Sequence, residues 1–65
     1  MNVKKQRKQL GLTQAQFWNR IQVTQSGGSR YENGRPIPGP VKSLLALAYG
    51  TEKERQKVAR RLGLA

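Results

Sequence analysis

The chain has 65 residues with no cysteine or histidine, and 13 lysines and arginines against 3 acidic residues give a net charge of +10. This length allows one domain, expected to span residues 1–65, with a small core and little room for a deep enzyme pocket. Without cysteine and histidine, the usual transition-metal ligands and the commonest general base are missing, so we expect no disulfide, metal, cofactor or enzyme activity.

Two helices are predicted in the first third of the chain. The first covers residues 3–10 and ends at Gly11, because glycine accepts the left-handed conformation that ends helices. Thr13 caps the second helix, and Gln16, three residues later, completes a capping box. The apolar side of this helix consists of Ala15, Phe17, Trp18 and Ile21.

The middle of the chain contains a third helix, a loop and a fourth helix. Thr24 caps the third helix, which runs to about Asn33. Residues 35–40 contain all three prolines and are predicted to form a loop. Pro40 suits the first turn of the fourth helix, where no backbone N–H is needed, and Gly50 ends that helix.

A fifth helix completes an all-α prediction. Thr51 caps it, and its charges oppose the helix dipole, with Glu52 and Glu54 in the first turn and Arg60 and Arg61 in the last. Its apolar edge either packs on the domain or forms a dimer contact, and consists of Val58, Leu62 and Leu64. The predicted core contains Phe17, Ile21, Val23, Tyr31, Leu44 and Leu45.

The positive charge points to a polyanionic partner. Basic residues run from Lys4 to Arg61 among apolar positions, so the charge belongs to the folded domain and not to a basic tail. No apolar run approaches the roughly 18 residues of a membrane span. Residues 1–5 lead into no hydrophobic signal region, so we expect a cytoplasmic protein without a membrane partner. A chain of this size has little room for a ligand-sensing domain, so we expect no small-molecule ligand.

Two short capped helices joined by about four residues form a helix-turn-helix between Leu12 and Gly34. The second helix of such a unit can lie in the major groove of DNA, with its N-terminal residues at the base edges. Glutamine can pair with adenine and arginine with guanine. The candidate base contacts, near the start or on the outer side of the third helix, are Gln25, Ser26, Ser29 and Arg30.

The segment resembles the Cro/repressor-type (XRE-like) helix-turn-helix proteins of phages and bacteria. Residues 10–15, Leu-Gly-Leu-Thr-Gln-Ala, match the entry into the second helix, and residues 31–35, Tyr-Glu-Asn-Gly-Arg, match the end of the third. The resemblance covers about Lys4 to Gly50. It implies a lambda-repressor-like arrangement of five short helices around a central helix-turn-helix.

The resemblance also implies roles for individual residues. Gln14 matches a residue that holds a DNA phosphate, and Asn33 and Arg35 match backbone-contacting residues. Thr24 and Gln25 match the start of the recognition helix, where Thr24 is a phosphate candidate, and Arg30 matches an outward position that reaches bases. Arg7 and Glu32 match a partly buried ion pair that ties the first helix to the third.

Further phosphate candidates lie outside the helix-turn-helix. Lys42 follows the proline loop at the start of the fourth helix. Lys4, Lys5 and Lys8 either hold phosphates, as the resemblance implies for the start of the first helix, or form a solvated helix face.

Three residues depart from the family pattern at the contact between the second and third helices. Trp18 stands where the family has a small residue, Gln22 where it has glycine, and Gly28 where it has a branched aliphatic residue. We expect the Trp18 indole to fill the volume that Gly28 leaves empty. Two alternatives remain at this point: Trp18 is exposed and contacts a partner, or Gly27 and Gly28 distort the recognition helix.

The sequence therefore predicts a transcriptional regulator, most simply a Cro-like repressor. One recognition helix reads only a few base pairs, so we expect a homodimer on an inverted-repeat operator with half-sites about 34 Å apart. It would act at the bacterial nucleoid or in a phage-infected cell. The alternative is an antitoxin-like protein or adaptor whose helix-turn-helix binds a protein or RNA. Little affinity for duplex DNA at moderate salt would favour this alternative.

Overall fold

A computed structural model describes residues 2–64, and these residues form five α-helices. They are α1 (Val3–Gln9), α2 (Gln14–Asn19), α3 (Gln25–Glu32), α4 (Gly39–Tyr49) and α5 (Glu52–Arg61). No strand occurs between residues 2 and 64, so the all-α prediction is confirmed. None of these helices has the length and apolar content to span a bilayer.

Side-chain caps fix most helix starts. Thr13 and Thr51 each form a complete capping box, with Gln16 and Glu54 respectively. The hydroxyl oxygen of Thr24 accepts a hydrogen bond from the backbone N–H of Gly27, 3.1 Å away. These bonds satisfy backbone donors that have no partner inside the helix, so each threonine defines where its helix begins.

The turn between α2 and α3 contains a non-glycine residue in the left-handed region. Gln22 has a φ of 63°, at the position where the resemblance implies glycine. A side chain is uncommon in this conformation because its Cβ crowds the backbone. Gln22 therefore adopts the left-handed backbone conformation that glycine would adopt at this position of the turn.

The core lies where α1, α2 and α4 meet. Its buried members are Val3, Phe17, Trp18, Ile21 and Leu45, and Phe17 and Trp18 are fully buried. Val23 and Tyr31, predicted as core, are partly buried against it. Leu44 was also predicted as core and this is wrong: its side chain is 42% exposed, because the next residue, Leu45, takes the inward position on α4.

Tyr49, which the sequence analysis did not single out, joins the end of α4 to α2. Its ring stacks on Phe17 with centroids 4.1 Å apart and planes 8° from parallel. Its hydroxyl donates a hydrogen bond to the Phe17 carbonyl oxygen at 2.6 Å. The guanidinium carbon of Arg20 lies over the Tyr49 ring, 5.1 Å from its centroid. Burial raises the pKa of Tyr49, so the hydroxyl keeps the proton it donates.

Removing this hydroxyl with Tyr49→Phe should destabilise the domain by about 1 kcal/mol, since one partly buried hydrogen bond is lost and the ring stacking is kept. The measurement is the free energy of unfolding from urea titration. Tyr31→Phe is the matched control, because the Tyr31 hydroxyl makes no hydrogen bond among residues 2–64. Equal losses in the two variants would contradict the assigned bond.

The sequence left open whether the apolar edge of α5 packs on the domain or is free for a dimer contact, and its three residues differ in this respect. Val58 is 6% exposed and packs on the domain, where α5 lies against α4. Leu62 and Leu64 are 52% and 73% exposed and contribute little to the core. These two leucines remain available at the surface.

Candidate nucleic-acid interface

The third helix presents its polar side chains in two rows on one side. Gln25, Ser29 and Asn33 are four residues apart, and Ser26 and Arg30 form a neighbouring pair with the same spacing. Residues spaced by four lie on the same side of an α-helix. The helix runs without interruption from Gln25 to Glu32, so Gly27 and Gly28 do not break it.

The four candidate base contacts differ in accessibility. Gln25, Ser26 and Arg30 are exposed, as a helix entering a groove requires. Ser29 is half-buried, and its Oγ lies 3.4 Å from Nδ2 of Asn33, one turn further along. Ser29 therefore has a smaller accessible surface for a base contact than its neighbours.

The phosphate candidates of the helix-turn-helix fall into two groups. Thr24 lies at the exposed start of α3, and Asn33 at its exposed end, where its amide donates to the Ser29 carbonyl oxygen at 2.8 Å. Gln14 is half-buried, and its amide nitrogen lies 3.4 Å from Oε1 of Glu32. A phosphate contact by Gln14 would thus compete with this internal contact.

Two further phosphate candidates meet in a surface depression beside the end of α3. Arg35 and Lys42 line it together with Lys4. The side chains of all three are exposed. Lys5 is also exposed but lies in a different, shallow depression on α1, with Lys4 and Lys8. The structure thus brings part of the predicted set of phosphate contacts, but not all of it, to the end of α3.

An ion pair connects α1 to the end of α3. Nε of Arg7 lies 2.9 Å from Oε2 of Glu32, and Nη2 lies 3.0 Å from Oε1, in the two-pronged geometry that arginine and carboxylate favour. The third nitrogen, Nη1, donates to the Leu12 carbonyl oxygen at 2.9 Å. Arg7 is therefore occupied inside the domain.

The Trp18 indole adds a contact that the sequence analysis missed. Its Nε1 donates to Oε2 of Glu32 at 2.7 Å. Because a buried indole N–H needs an acceptor, and Glu32 is the only carboxylate before residue 52, the residue types offered a signal for this bond. Trp18 is fully buried, so the alternative of an exposed, partner-contacting indole is wrong.

The indole also occupies the space beside Gly28. A Cβ added at Gly28 would overlap Cγ and Cδ1 of Trp18. The absence of a side chain at residue 28 therefore lets the recognition helix lie directly on the indole. The side of α3 opposite Gln25 and Arg30 therefore packs on the Trp18 indole at Gly28. It is also fixed at Glu32, whose carboxylate accepts hydrogen bonds from Arg7, Gln14 and Trp18.

The Glu32 carboxylate is kept in its charged form. Burial raises its pKa, but hydrogen bonds from Arg7, Trp18 and Gln14, together with the charge of Arg7, outweigh burial and hold the pKa below the ordinary value of 4.5. The charged carboxylate accepts all of these bonds at neutral pH. Ionised Glu32 thus fixes the end of the recognition helix to α1 and α2.

Comparison with known protein families identifies the family to which the chain belongs. The model for the RsaL-like HTH domain matches residues 4–48. Comparison with curated proteins and with solved structures gives no match. The helix-turn-helix part of the predicted resemblance is confirmed, whereas the Cro/XRE assignment stays a prediction. With most of its length matched, from α1 to the last turn of α4, the chain belongs to the RsaL-like HTH domain family, a helix-turn-helix type found in DNA-binding regulators.

Proposed function

We propose that the protein is a sequence-specific transcriptional regulator, a Cro-like repressor that reads operator DNA with α3 in the major groove. The observation that supports this most is the contrast between the two sides of α3. Its outer side presents Gln25, Ser26 and Arg30 to solvent, and its inner side is fixed at Gly28 and Glu32. Such a helix is preorganised for binding, so little conformational entropy is lost when it enters a groove.

The exposed side chains suit base edges. Gln25, in the first turn of α3, can form two hydrogen bonds with adenine, and Arg30, about one turn further, can form two with guanine. Ser26 can donate or accept at either base. Contacts to the phosphates of the DNA backbone would set the register of α3 in the groove, and the residues that make them are Thr24, Asn33, Arg35, Lys42 and Lys5. Gln14 can add a phosphate contact if its amide gives up the hydrogen bond to Glu32.

The size of the domain supports the proposal of a dimer on an inverted repeat. The described residues measure 32 × 22 × 19 Å, and the helix α3 that reads bases has only 8 residues. One copy can place one such helix in the groove, whereas half-sites one turn of B-DNA apart are separated by about 34 Å. Two copies of this size can lie side by side at that spacing. The exposed leucines Leu10, Leu44, Leu62 and Leu64 are the apolar side chains from which their contact could form.

In this proposal, residues 1–65 act as one domain that binds DNA and catalyses no reaction. Repression results when the bound dimer blocks access of polymerase to a promoter. The site of action is the bacterial nucleoid or the DNA of an infecting phage. The net charge of +10 supports this location, because it favours association with a polyanion.

Selection from a pool of randomised duplexes at near-physiological salt tests the proposal. The expected result is an inverted repeat whose half-sites lie one helical turn apart. Recovery of one half-site without its repeat would contradict the dimer. Recovery of no motif, with weak retention that salt abolishes, would contradict sequence reading and favour a protein or RNA partner.

Gln25→Ala tests base reading directly. Loss of one two-pronged contact should weaken binding to the selected operator by about 1–3 kcal/mol and relax preference at one base pair of each half-site. Fluorescence anisotropy on the operator and on its single-base variants measures both effects. Gln56→Ala, which removes the same side chain from exposed α5, should leave affinity and preference unchanged. Weaker binding with unchanged base preference would assign Gln25 to the backbone instead.

A further inference from the structure

Helix α5 carries a concentration of positive charge that the proposed helix-turn-helix contacts do not use. Half of its 10 residues are basic, all five are exposed, and they are Lys53, Arg55, Lys57, Arg60 and Arg61. The proposed contacts of α3 and of the loop after it use none of them. Their placement relative to α4 separates them into two sets.

Lys57 and Arg61 line a depression against α4, and the other three basic residues are not part of its lining. A depression between the two helices is lined by Lys57 and Arg61 from α5 and by Lys42 from the first turns of α4. Lys42 also lines the depression beside the end of α3, with Lys4 and Arg35. The two depressions therefore adjoin at Lys42, and exposed basic side chains continue from the recognition helix to the end of α5.

The acidic residues in these depressions are already engaged. Glu32, in the first depression, is paired with Arg7. Glu54 lies in the second, where its Oε1 accepts a hydrogen bond from the backbone N–H of Thr51 at 3.1 Å. Lys42, Lys57 and Arg61 have no ion pair with an acidic residue among residues 2–64. An external anion is the ligand that these three side chains can bind.

We propose that Lys42, Lys57 and Arg61 form a second phosphate-binding site for duplex DNA, the α4–α5 basic site. This inference rests on the proposed function, since Lys42 is the residue that both the recognition surface and the basic site share. The site binds sugar–phosphate backbone that flanks the base pairs read by α3. It adds affinity without adding base preference, because phosphate contacts fix position and carry no sequence information.

Paired substitutions test the site on the operator recovered by selection. Arg61→Ala and Lys57→Ala should each lower the slope of log K against log salt concentration by about 0.9, the value for one lost phosphate contact. Affinity should fall by the same factor for matched and mismatched operators. The controls are Arg60→Ala and Lys53→Ala, which remove the same charges from α5 outside the depression and should keep the wild-type slope.

Duplex length gives a second readout. Trimming the base pairs that flank the half-sites should weaken wild-type binding. The Lys57→Ala/Arg61→Ala double variant, which keeps only Lys42 of the site, should be much less sensitive to trimming. If Arg61→Ala and Arg60→Ala show the same slope, or if trimming affects wild type and double variant equally, the basic site is wrong while α3 can still read DNA. If the wild-type protein shows no salt-sensitive binding to any duplex, the proposed function itself is wrong.

Discussion

Gly28→Ala is expected to destabilise the domain by about 1–3 kcal/mol, although alanine is the better helix former by about 1 kcal/mol. The added methyl group would overlap the Trp18 ring. Three contacts hold the ring in place. Its centroid lies 5.2 Å from that of Phe17, edge-on, and 5.6 Å from that of Tyr31, and its N–H donates a hydrogen bond to Glu32. The measurement is the midpoint and slope of urea unfolding.

Gly27→Ala is the matched control in the same helix. A Cβ at Gly27 would lie 3.2 Å from Oγ1 of Thr24 and 3.4 Å from Cγ1 of Val23, which is tight but requires only small shifts. We expect its unfolding free energy to stay within about 1 kcal/mol of wild type, where the gain in helix propensity offsets the crowding. Comparable losses in the two variants would show that the overlap with Trp18 is not the cause.

A thermodynamic cycle then tests whether Trp18 and Gly28 compensate for each other. Trp18→Ala should cost about 3–5 kcal/mol, since it opens a cavity in the core. In the double variant Trp18→Ala/Gly28→Ile, the branched side chain occupies part of that cavity. The double variant should therefore lose less stability than the sum of the two single variants. Simple additivity would contradict the compensation hypothesis.

Local signals explain why the helices could be predicted from the sequence. The Thr13–Gln16 capping box lies within four residues and forms as expected. Thr51 caps α5 as expected, and Glu54 completes a second capping box there. Gly11 and Gly34 adopt the positive φ that ends a helix, at 71° and 104°. Interactions of this kind depend on the nearest turn of chain and are readable without knowledge of the fold.

Side-chain partners distant in the chain could not be predicted in the same way. The stacking of Tyr49 on Phe17 joins residues 32 positions apart, and no periodicity in either helix indicates it. Leu44 and Leu45 are equally apolar neighbours, and only the direction of α4 against the core decides which is buried. For Gln14 the family resemblance implies an outward role, whereas the charge of Glu32 provides an internal partner.

Removing the Glu32 carboxylate should have the largest effect of a single polar substitution. Glu32→Ala is expected to cost about 3–5 kcal/mol, because the guanidinium of Arg7, whose side chain is 11% exposed, would lose its counter-charge in a partly buried site. The indole N–H of Trp18 would also lose its acceptor. Glu52→Ala is the control. The Glu52 side chain is 77% exposed, and its Oε2 lies 4.0 Å from Nη2 of Arg55 in a weak surface ion pair, so its loss should change the free energy of unfolding little.

The charge of Glu32 should also set part of the pH dependence of stability. Its pKa in the folded state lies below the ordinary 4.5, so the ionised carboxylate contributes stability fully above about pH 4.5 and progressively less as pH falls through the folded pKa. Glu32→Gln keeps the side-chain size but cannot ionise. Its unfolding free energy should be lower than wild type at pH 7, and the difference should shrink towards acid pH.

Glu54 requires a separate control in that titration, because the backbone N–H and side chain of Thr51 also lower its pKa. Glu54→Gln can keep the capping box, as Gln16 does with Thr13, but it cannot ionise. It should therefore remove the acid dependence due to Glu54 and leave that due to Glu32. The acid dependence that is lost in Glu32→Gln but kept in Glu54→Gln therefore belongs to the contact between α3 and its neighbours. If Glu32→Gln retains the full acid dependence of wild type, the ionised carboxylate does not hold the recognition helix, and the indole packing on Gly28 must position it alone.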